Sequence, residues 1–229
     1  RETGDKISGA LFGLFRADET SFTENNALLT AESGEDGVFT FENVVYGSYT
    51  VRELRPAAGY LENETVYAVT VDEDGDVVEI TVVNDLIPEI GTTATIDEEK
   101  EVCATEVFTL TDTVEYKHLV PGKEYTVKGI LMDRATGEPF LQNGEQITSE
   151  VTFVPKAPSG SVEVLFTFDA KLIKTDTNIV VFESLYSDSK ELTVHADIKD
   201  DEQTVTVIVP EIKTEASTNG KKETTIGGE

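Results

Sequence analysis

Short segments in which apolar and polar residues alternate recur along most of the chain, with Gly, Asn or Asp between them. Helical periodicity is hard to find anywhere. An alternation of period two is typical of half-buried strands, and many short strands separated by turn signals predict an all-β protein of the sandwich type. The predicted strands are ALFGLF, GVFTFENV, GSYTVREL, VYAVTV, DVVEITVV, VFTLTDTVEY, EYTVKGILM, ITSEVTF, SVEVLFTF, NIVVFESLY, ELTVHADI and QTVTVIV.

Three dipeptides between these segments predict tight hairpin turns. They are DG at 36–37, DG at 74–75 and NG at 143–144. Two-residue hairpin turns need a positive φ at their central positions, and Asn, Asp and Gly tolerate that conformation best.

The pattern changes near the sequence NDLIPEI, where Pro88 closes a first domain that we place at residues 1–86. The second domain is placed at residues 88–209. Its opening sequence, PEIGTTAT, returns as PEIKTEAS at the start of residues 210–229, which indicates a tandem repeat. We therefore interpret residues 210–229 as the first strand of a following repeat, and we expect that strand alone to be poorly ordered.

Several polar side chains share a strand face with apolar residues. Gln203 alternates in step with valines in QTVTVIV, Thr92 with Ala and Ile in IGTTATI, and Asp112 with an apolar row in VFTLTDTVEY. Glu183 lies in NIVVFESLY, which is apolar on both faces. A buried carboxylate is unfavourable unless it is paired or protonated, and two adjacent carboxyls raise one pKa. The set is either acid–base machinery or a hydrogen-bonded structural network.

The first domain contains a similar pair, and the two histidines need separate treatment. Glu53 in GSYTVREL and Asn84 in EITVVND both alternate with apolar residues, so both are predicted to point into the core. His118 falls in a turn and is assigned no role. Periodicity alone places His195 on the surface, because it lies opposite the apolar face of ELTVHADI.

Charge and cysteine content exclude several classes of protein. The chain of 229 residues has 18 basic and 45 acidic residues and a net charge of −27. This charge repels nucleic acid and anionic lipid. A single cysteine, Cys103, excludes an internal disulfide. No apolar run approaches the roughly 20 residues that span a bilayer, and we interpret the chain as part of a longer protein.

The acidic run DEDGD at 72–76 resembles a calcium loop but lacks the later bidentate Glu at EF-hand spacing. A hairpin turn explains this run better. We therefore predict no metal site, and we predict no cofactor.

Residues 1–86 resemble a collagen-adhesin B-type (SpaA-like) domain of Gram-positive surface proteins. The resemblance rests on ETGDKISGALFGLF, on YTVREL with AAGY, and on ITVVND. It implies an isopeptide bond in which Asn84 is the acceptor, Glu53 assists, and a lysine of the first strand attacks. That lysine precedes the ETG segment in the family and is absent from this chain, and Lys6 is a poor substitute for it.

Residues 88–209 resemble a VaFE-repeat, or Thr–Gln ester-bond, domain of surface adhesins. The match covers GTTAT, DTVEY with LVPGKEYTVKGILMD, VVFE and HADIKDDEQTV. The resemblance implies an autocatalytic ester between the side chains of Thr92 and Gln203. It assigns the supporting cluster to Asp112, Glu183 and His195, and makes Thr214 the nucleophile of the next repeat. The expected fold is two tandem immunoglobulin-like or prealbumin-like β-sandwiches.

These resemblances imply a monomeric structural stalk on the surface of a Gram-positive cell wall, whose partners are neighbouring repeats of the same chain. The alternative is an adhesin module that recognises a host glycan or matrix protein. A glycosidase is a further alternative, since such enzymes use paired carboxylates. However, these acids fall in the middle of predicted core strands, and the chain has no tryptophan to stack on sugars.

Overall fold

The structure, a computed structural model, describes residues 4–211. The described chain is built from strands, with one short 3₁₀ helix at Ala170–Leu172. The strands are β1 (Leu11–Arg16), β2 (Leu29–Glu32), β3 (Gly47–Arg55), β4 (Tyr67–Val71), β5 (Glu89–Ile96), β6 (Glu101–Cys103), β7 (Val107–Lys117), β8 (Tyr125–Asp133), β9 (Leu141–Gln142), β10 (Glu145–Gln146), β11 (Thr148–Phe153), β12 (Gly160–Asp169), β13 (Thr177–Ser187), β14 (Lys190–His195) and β15 (Thr204–Ile208).

The chain divides into two compact units. The first comprises Arg1–Glu89, Tyr116–Glu124 and Val154–Gly160, and the second comprises the intervening segments and the rest of the chain. In the first unit, β2, β1, β3 and β4 form an antiparallel sheet in that order. Its inner face buries apolar residues that alternate along β1 and β3, as the period of two requires. The core residues there are Ala10, Phe12, Leu14, Tyr49, Val51 and Ala57.

Two strands predicted in the first unit are not observed. The sequences GVFTFENV and DVVEITVV carry no strand in the structure, so both predictions are wrong. Alternate residues of these segments, Phe39, Phe41, Ile80 and Val82, nevertheless pack against the core of the first unit. The segments have the side-chain pattern of strands, but no neighbouring strand pairs with them among residues 4–211, and a strand needs a hydrogen-bonded partner.

The second unit is a sandwich of two sheets. One sheet runs β11, β8, β13, β15, β6, and β14 also pairs with β13, while the other runs β12, β7, β5. Buried and less buried residues alternate along β7 from Phe108 to Tyr116, so every second side chain enters the core. Packing between the sheets is close, because Phe166 lies against Gly129 so tightly that a Cβ there would be 2.5 Å from the ring.

On one of its two sides, the central strand β13 of the larger sheet pairs with two different strands in turn. The first part of β13 pairs with β15 and its last part pairs with β14. The segment between β14 and β15 crosses this edge, and Val181 N donates to Gln203 O at 3.1 Å. The change of partner therefore brings residue 203 to the middle of the sheet.

The predicted NG turn is confirmed between β9 and β10. Asn143 and Gly144 have φ values of 54° and 84°, and Gln142 pairs with Glu145 across them. No helix of the described residues is long and apolar enough to span a bilayer.

Candidate functional site

Four polar side chains from different strands meet in the interior of the second unit. Thr92, Asp112, Glu183 and Gln203 are 6%, 0%, 1% and 0% exposed. Thr92 and Asp112 come from β5 and β7 of the smaller sheet, Glu183 comes from β13, and Gln203 directly precedes β15. Alternation predicts that Thr92, Asp112 and Gln203 face inward, and the burial of all three confirms this.

The amide of Gln203 lies at the centre of this cluster. Its Nε2 atom donates to Thr92 Oγ1 at 2.8 Å and to Glu183 Oε2 at 2.7 Å. Thr93, the next residue along β5, is exposed. The pleat of the strand therefore selects Thr92 as the hydroxyl that approaches the amide.

The two carboxyl groups of the cluster affect each other's ionisation. Burial raises the pKa of Glu183 to about 10, and the neighbouring Asp112 contributes to this rise. Burial also raises the pKa of Asp112, while Glu183, His195, Lys100 and Thr92 oppose that rise. A second negative charge beside a buried carboxylate is unfavourable, so at neutral pH Glu183 is the protonated member of the pair.

Several buried polar atoms of the cluster have no hydrogen-bond partner within residues 4–211. They are both carboxyl oxygens of Asp112, Glu183 Oε1, His195 Nδ1 and Gln203 Oε1. Buried polar groups of a purely structural network are nearly always paired. The direct contacts among these side chains therefore do not satisfy every polar atom of the cluster.

The structure corrects the position that periodicity predicts for His195. Its side chain is 27% exposed, whereas Val194 is 47% exposed. His195 lies directly opposite Glu183 in the ladder, and residues directly opposite each other share a face. The ladder skips Leu192, because Thr193 pairs with Leu185 and Glu191 pairs with Tyr186. This bulge reverses the apparent alternation along β14.

Asp200 is a residue of the cluster that sequence reasoning missed. Its Oδ2 atom lies 3.3 Å from His195 Nε2, and its Oδ1 atom accepts from Glu202 N at 2.8 Å. A carboxylate on one ring nitrogen orients the imidazole and leaves the other nitrogen, Nδ1, directed inward. The sequence HADIKDDEQ has four acidic residues, and nothing in their spacing identifies this one.

A smaller polar cluster lies inside the first unit. Glu53 and Asn84 are 1% and 5% exposed, so the predicted inward orientation of both is confirmed. Asn84 Nδ2 donates to Glu53 Oε1 at 2.7 Å, and Asn63 N donates to Glu53 Oε2 at 2.6 Å. A cavity of about 260 Å³ reaches Asn84, and both polar and apolar residues line it, among them Lys6, Phe39 and Ile80.

The remaining candidates occupy ordinary positions or lie outside the described residues. In the DEDGD run, Asp72 N and Glu73 N donate to Asp76 Oδ2 at 3.1 and 2.8 Å, which is a turn stabilised by its own carboxylate. Within residues 4–211, no three His, Cys, Asp or Glu side chains are arranged to hold a metal ion. Thr214 lies outside the described residues.

Two family models match the chain. Residues 88–207 match the model described as a T-Q ester bond containing domain. Residues 1–86 match the model of the SpaA prealbumin-like fold domain. A search of curated proteins finds no match.

Solved structures of surface proteins are similar to the chain at low identity. A bacterial adhesin from Mobiluncus mulieris containing intramolecular disulfide, isopeptide and ester bond cross-links is 20% identical, with a TM-score of 0.47 over 54% of this chain and 57% of that one. BcpA, the major pilin subunit of Bacillus cereus, is 17% identical, with a TM-score of 0.46 over 90% of this chain and 66% of that one. The chain thus spans less than two thirds of either.

Proposed function

Since the chain belongs to the family of T-Q ester bond containing domains, we propose that its second domain, residues 88–209, forms an ester between Thr92 and Gln203. The observation that carries the proposal is the contact of 2.8 Å between Thr92 Oγ1 and the Gln203 amide, buried beside two carboxyls. In the reaction Thr92 Oγ1 bonds to Gln203 Cδ, the bond from Cδ to Nε2 breaks, and ammonia leaves.

Each proton of this reaction has a nearby donor or acceptor. A threonine hydroxyl is a weak nucleophile and needs a base. Asp112 accepts the Thr92 proton, and His195, directed by Asp200, supports the anionic form of Asp112. Glu183 carries a proton at neutral pH and contacts Gln203 Nε2 at 2.7 Å, so it can protonate the departing nitrogen. The proton taken by Asp112 then restores Glu183.

The fold supplies the remaining assistance by holding the reactants together. Groups held in a reactive geometry can reach effective molarities on the order of 10⁵ M or more. Burial of Thr92 and Gln203 then excludes water, which protects the ester from hydrolysis. The reaction occurs once per chain, and the protein is not a turnover enzyme in this proposal.

We propose that Asn84 of the first domain, residues 1–86, is the acceptor of a second crosslink, and that Glu53 assists its formation. Within residues 4–211 the segments that contain Phe39 and Ile80 pair with no strand, and both line the cavity that reaches Asn84. A strand laid between them would pair with both, and a lysine on it would reach Asn84 beside Glu53. An isopeptide bond there also releases ammonia.

The proposed role of the whole chain is a structural stalk segment of a Gram-positive cell-surface adhesin or pilin. Support comes from the tandem arrangement of a SpaA prealbumin-like fold domain and a T-Q ester bond containing domain, and from the return of PEIGTTAT as PEIKTEAS after the second domain. Thr92 opens the second domain and Gln203 lies near its end. An ester between them carries tension directly across that domain, and its partners are the neighbouring domains of the same chain.

Intact mass spectrometry tests the ester directly. The purified chain is expected to weigh one ammonia less than its sequence, and the variant Thr92→Ala to have its full sequence mass. Thr93→Ala is the matched control, because it removes the same groups from the exposed face of β5 and should keep the loss. Full sequence mass in folded wild-type protein would contradict the proposal.

A further inference from the structure

Lys100 approaches the ester site from outside the sandwich. It lies between β5 and β6, directly after a tight turn in which Asp97 and Glu98 have φ values of 51° and 68°. Ile96 and Glu99 exchange backbone hydrogen bonds of 2.9 Å across that turn. The turn therefore returns the chain toward the strand that carries Thr92.

The ammonium group of Lys100 binds the backbone next to Gln203. Lys100 Nζ donates to Glu202 O, and Ala94 N donates to the same oxygen at 2.9 Å. The Lys100 carbonyl also accepts from Thr206 N at 2.7 Å. The carbonyl oxygen of Glu202, the residue before Gln203, thus accepts hydrogen bonds both from the strand of Thr92 and from the ammonium of Lys100.

We propose that Lys100 is a positioning residue for ester formation, which fixes the Gln203 backbone against the Thr92 strand and supplies a positive charge that favours ionised Asp112. This inference rests on the proposed ester function. The groups that face Asp112 are Glu183 from β13, His195 from β14, and Thr92 from β5. Lys100 adds a cation to these groups, and its ammonium also lies 3.8 Å from the carboxylate of Glu202.

The effect of the Lys100 charge on Asp112 follows from ordinary electrostatics. A cation near a buried carboxylate favours the charged form, and Lys100 opposes the rise that burial causes in the pKa of Asp112. The side chain of Lys100 is 40% exposed, so water and salt weaken its effect. We therefore expect a moderate effect of Lys100 on the rate.

The test compares rates of crosslinking in the full chain. Newly synthesised chain is captured in denaturant and diluted into buffers from about pH 5 to about pH 9, and the fraction that has lost ammonia is followed by intact mass. Lys100→Met keeps the stem and removes the charge, while Lys100→Arg keeps the charge. Lys128→Met is the control for charge, because Lys128 is exposed, pairs with Glu150 at 3.7 Å and is not among the groups that shift the pKa of Asp112.

Lys100→Met is expected to react about threefold or more slowly at the acidic end, with the acidic limb of the pH–rate profile moved to higher pH. Lys100→Arg should react at close to the wild-type rate, and the rate of Lys128→Met should equal that of the wild type. A rate for Lys100→Met equal to wild type, or equally slow at every pH and in Lys100→Arg, would overturn the inference. If the wild type still loses ammonia in that experiment, the proposed ester function holds even though the role of Lys100 is refuted.

Discussion

Glu183 is a carboxyl that the fold keeps protonated at neutral pH. Its pKa is raised from an ordinary 4.5 to about 10 by burial and by the adjacent Asp112. Burying this acid costs the domain stability at neutral pH, because Glu183 ionises freely in the unfolded chain and does not ionise in the folded chain. Reactivity and stability are therefore linked at this one residue.

The chain with Thr92→Ala should lose stability as pH rises. The native state holds a proton on Glu183 up to about pH 10, while the unfolded state releases it above about pH 4.5. The unfolded state therefore binds fewer protons in this window, so the free energy of unfolding falls with rising pH. Denaturant titrations at several pH values measure this.

The matched control for that experiment is the double variant Thr92→Ala with Glu183→Gln, in which the amide cannot ionise. Its free energy of unfolding should depend less on pH across the same window. Equal slopes in the two variants would show that Glu183 does not hold its proton in the folded state.

At the scale of elements, the site depends on how β13 is placed between its neighbours. Gly129 on β8 and His195 on β14 lie opposite Glu183 on its two sides. Gly129 has no side chain, and the ring of Phe166 from the other sheet occupies that space. The glycine thus permits the two sheets to approach each other beside the carboxyl group of Glu183.

Gly129→Ala should destabilise the second domain by about 1–3 kcal/mol, which is typical of overpacked cores. The added Cβ would meet the ring of Phe166 at 2.5 Å, and the ring cannot move without disturbing the core. Gly91→Ala in β5 is the control, because no atom lies within 4 Å of its added Cβ. Denaturant unfolding of both variants on a Thr92→Ala background checks this, and equal stability would contradict it.

At the scale of the molecule, the ester would close a loop across nearly all of the second domain. Thr92 and Gln203 are 111 residues apart in sequence. By chain-entropy reasoning, a crosslink over such a loop stabilises a fold by about 4–5 kcal/mol. Under tension the gain is larger, because the enclosed chain could otherwise extend by roughly 370–400 Å.

Single-molecule stretching of the chain should therefore show no unfolding of residues between the crosslinked positions. In Thr92→Ala the whole segment between residues 92 and 203 should unfold and extend, whereas Thr93→Ala should behave as the wild type does. Denaturant unfolding of the same three proteins measures the expected difference of about 4–5 kcal/mol. If the wild-type chain extends as far as Thr92→Ala does, the ester does not carry the tension across the domain.

The sequence alone determined which side chains enter the core wherever a strand is regular. Thr92, Asp112, Gln203, Glu53 and Asn84 follow their apolar neighbours inward because the side-chain period of a strand is fixed by its backbone. The all-β class follows from the same local rule, and so does the NG hairpin.

The tertiary structure alone decided what depends on pairing between distant strands. A bulge opposite β13 directs His195 toward Glu183, and the folding of the connecting segment brings Asp200 to its ring. The segments around Phe39 and Ile80 have strand patterns, but no strand in the described part of the chain pairs with them. Alternation specifies the face of a side chain only while the ladder is regular, and a ladder is a property of two segments together.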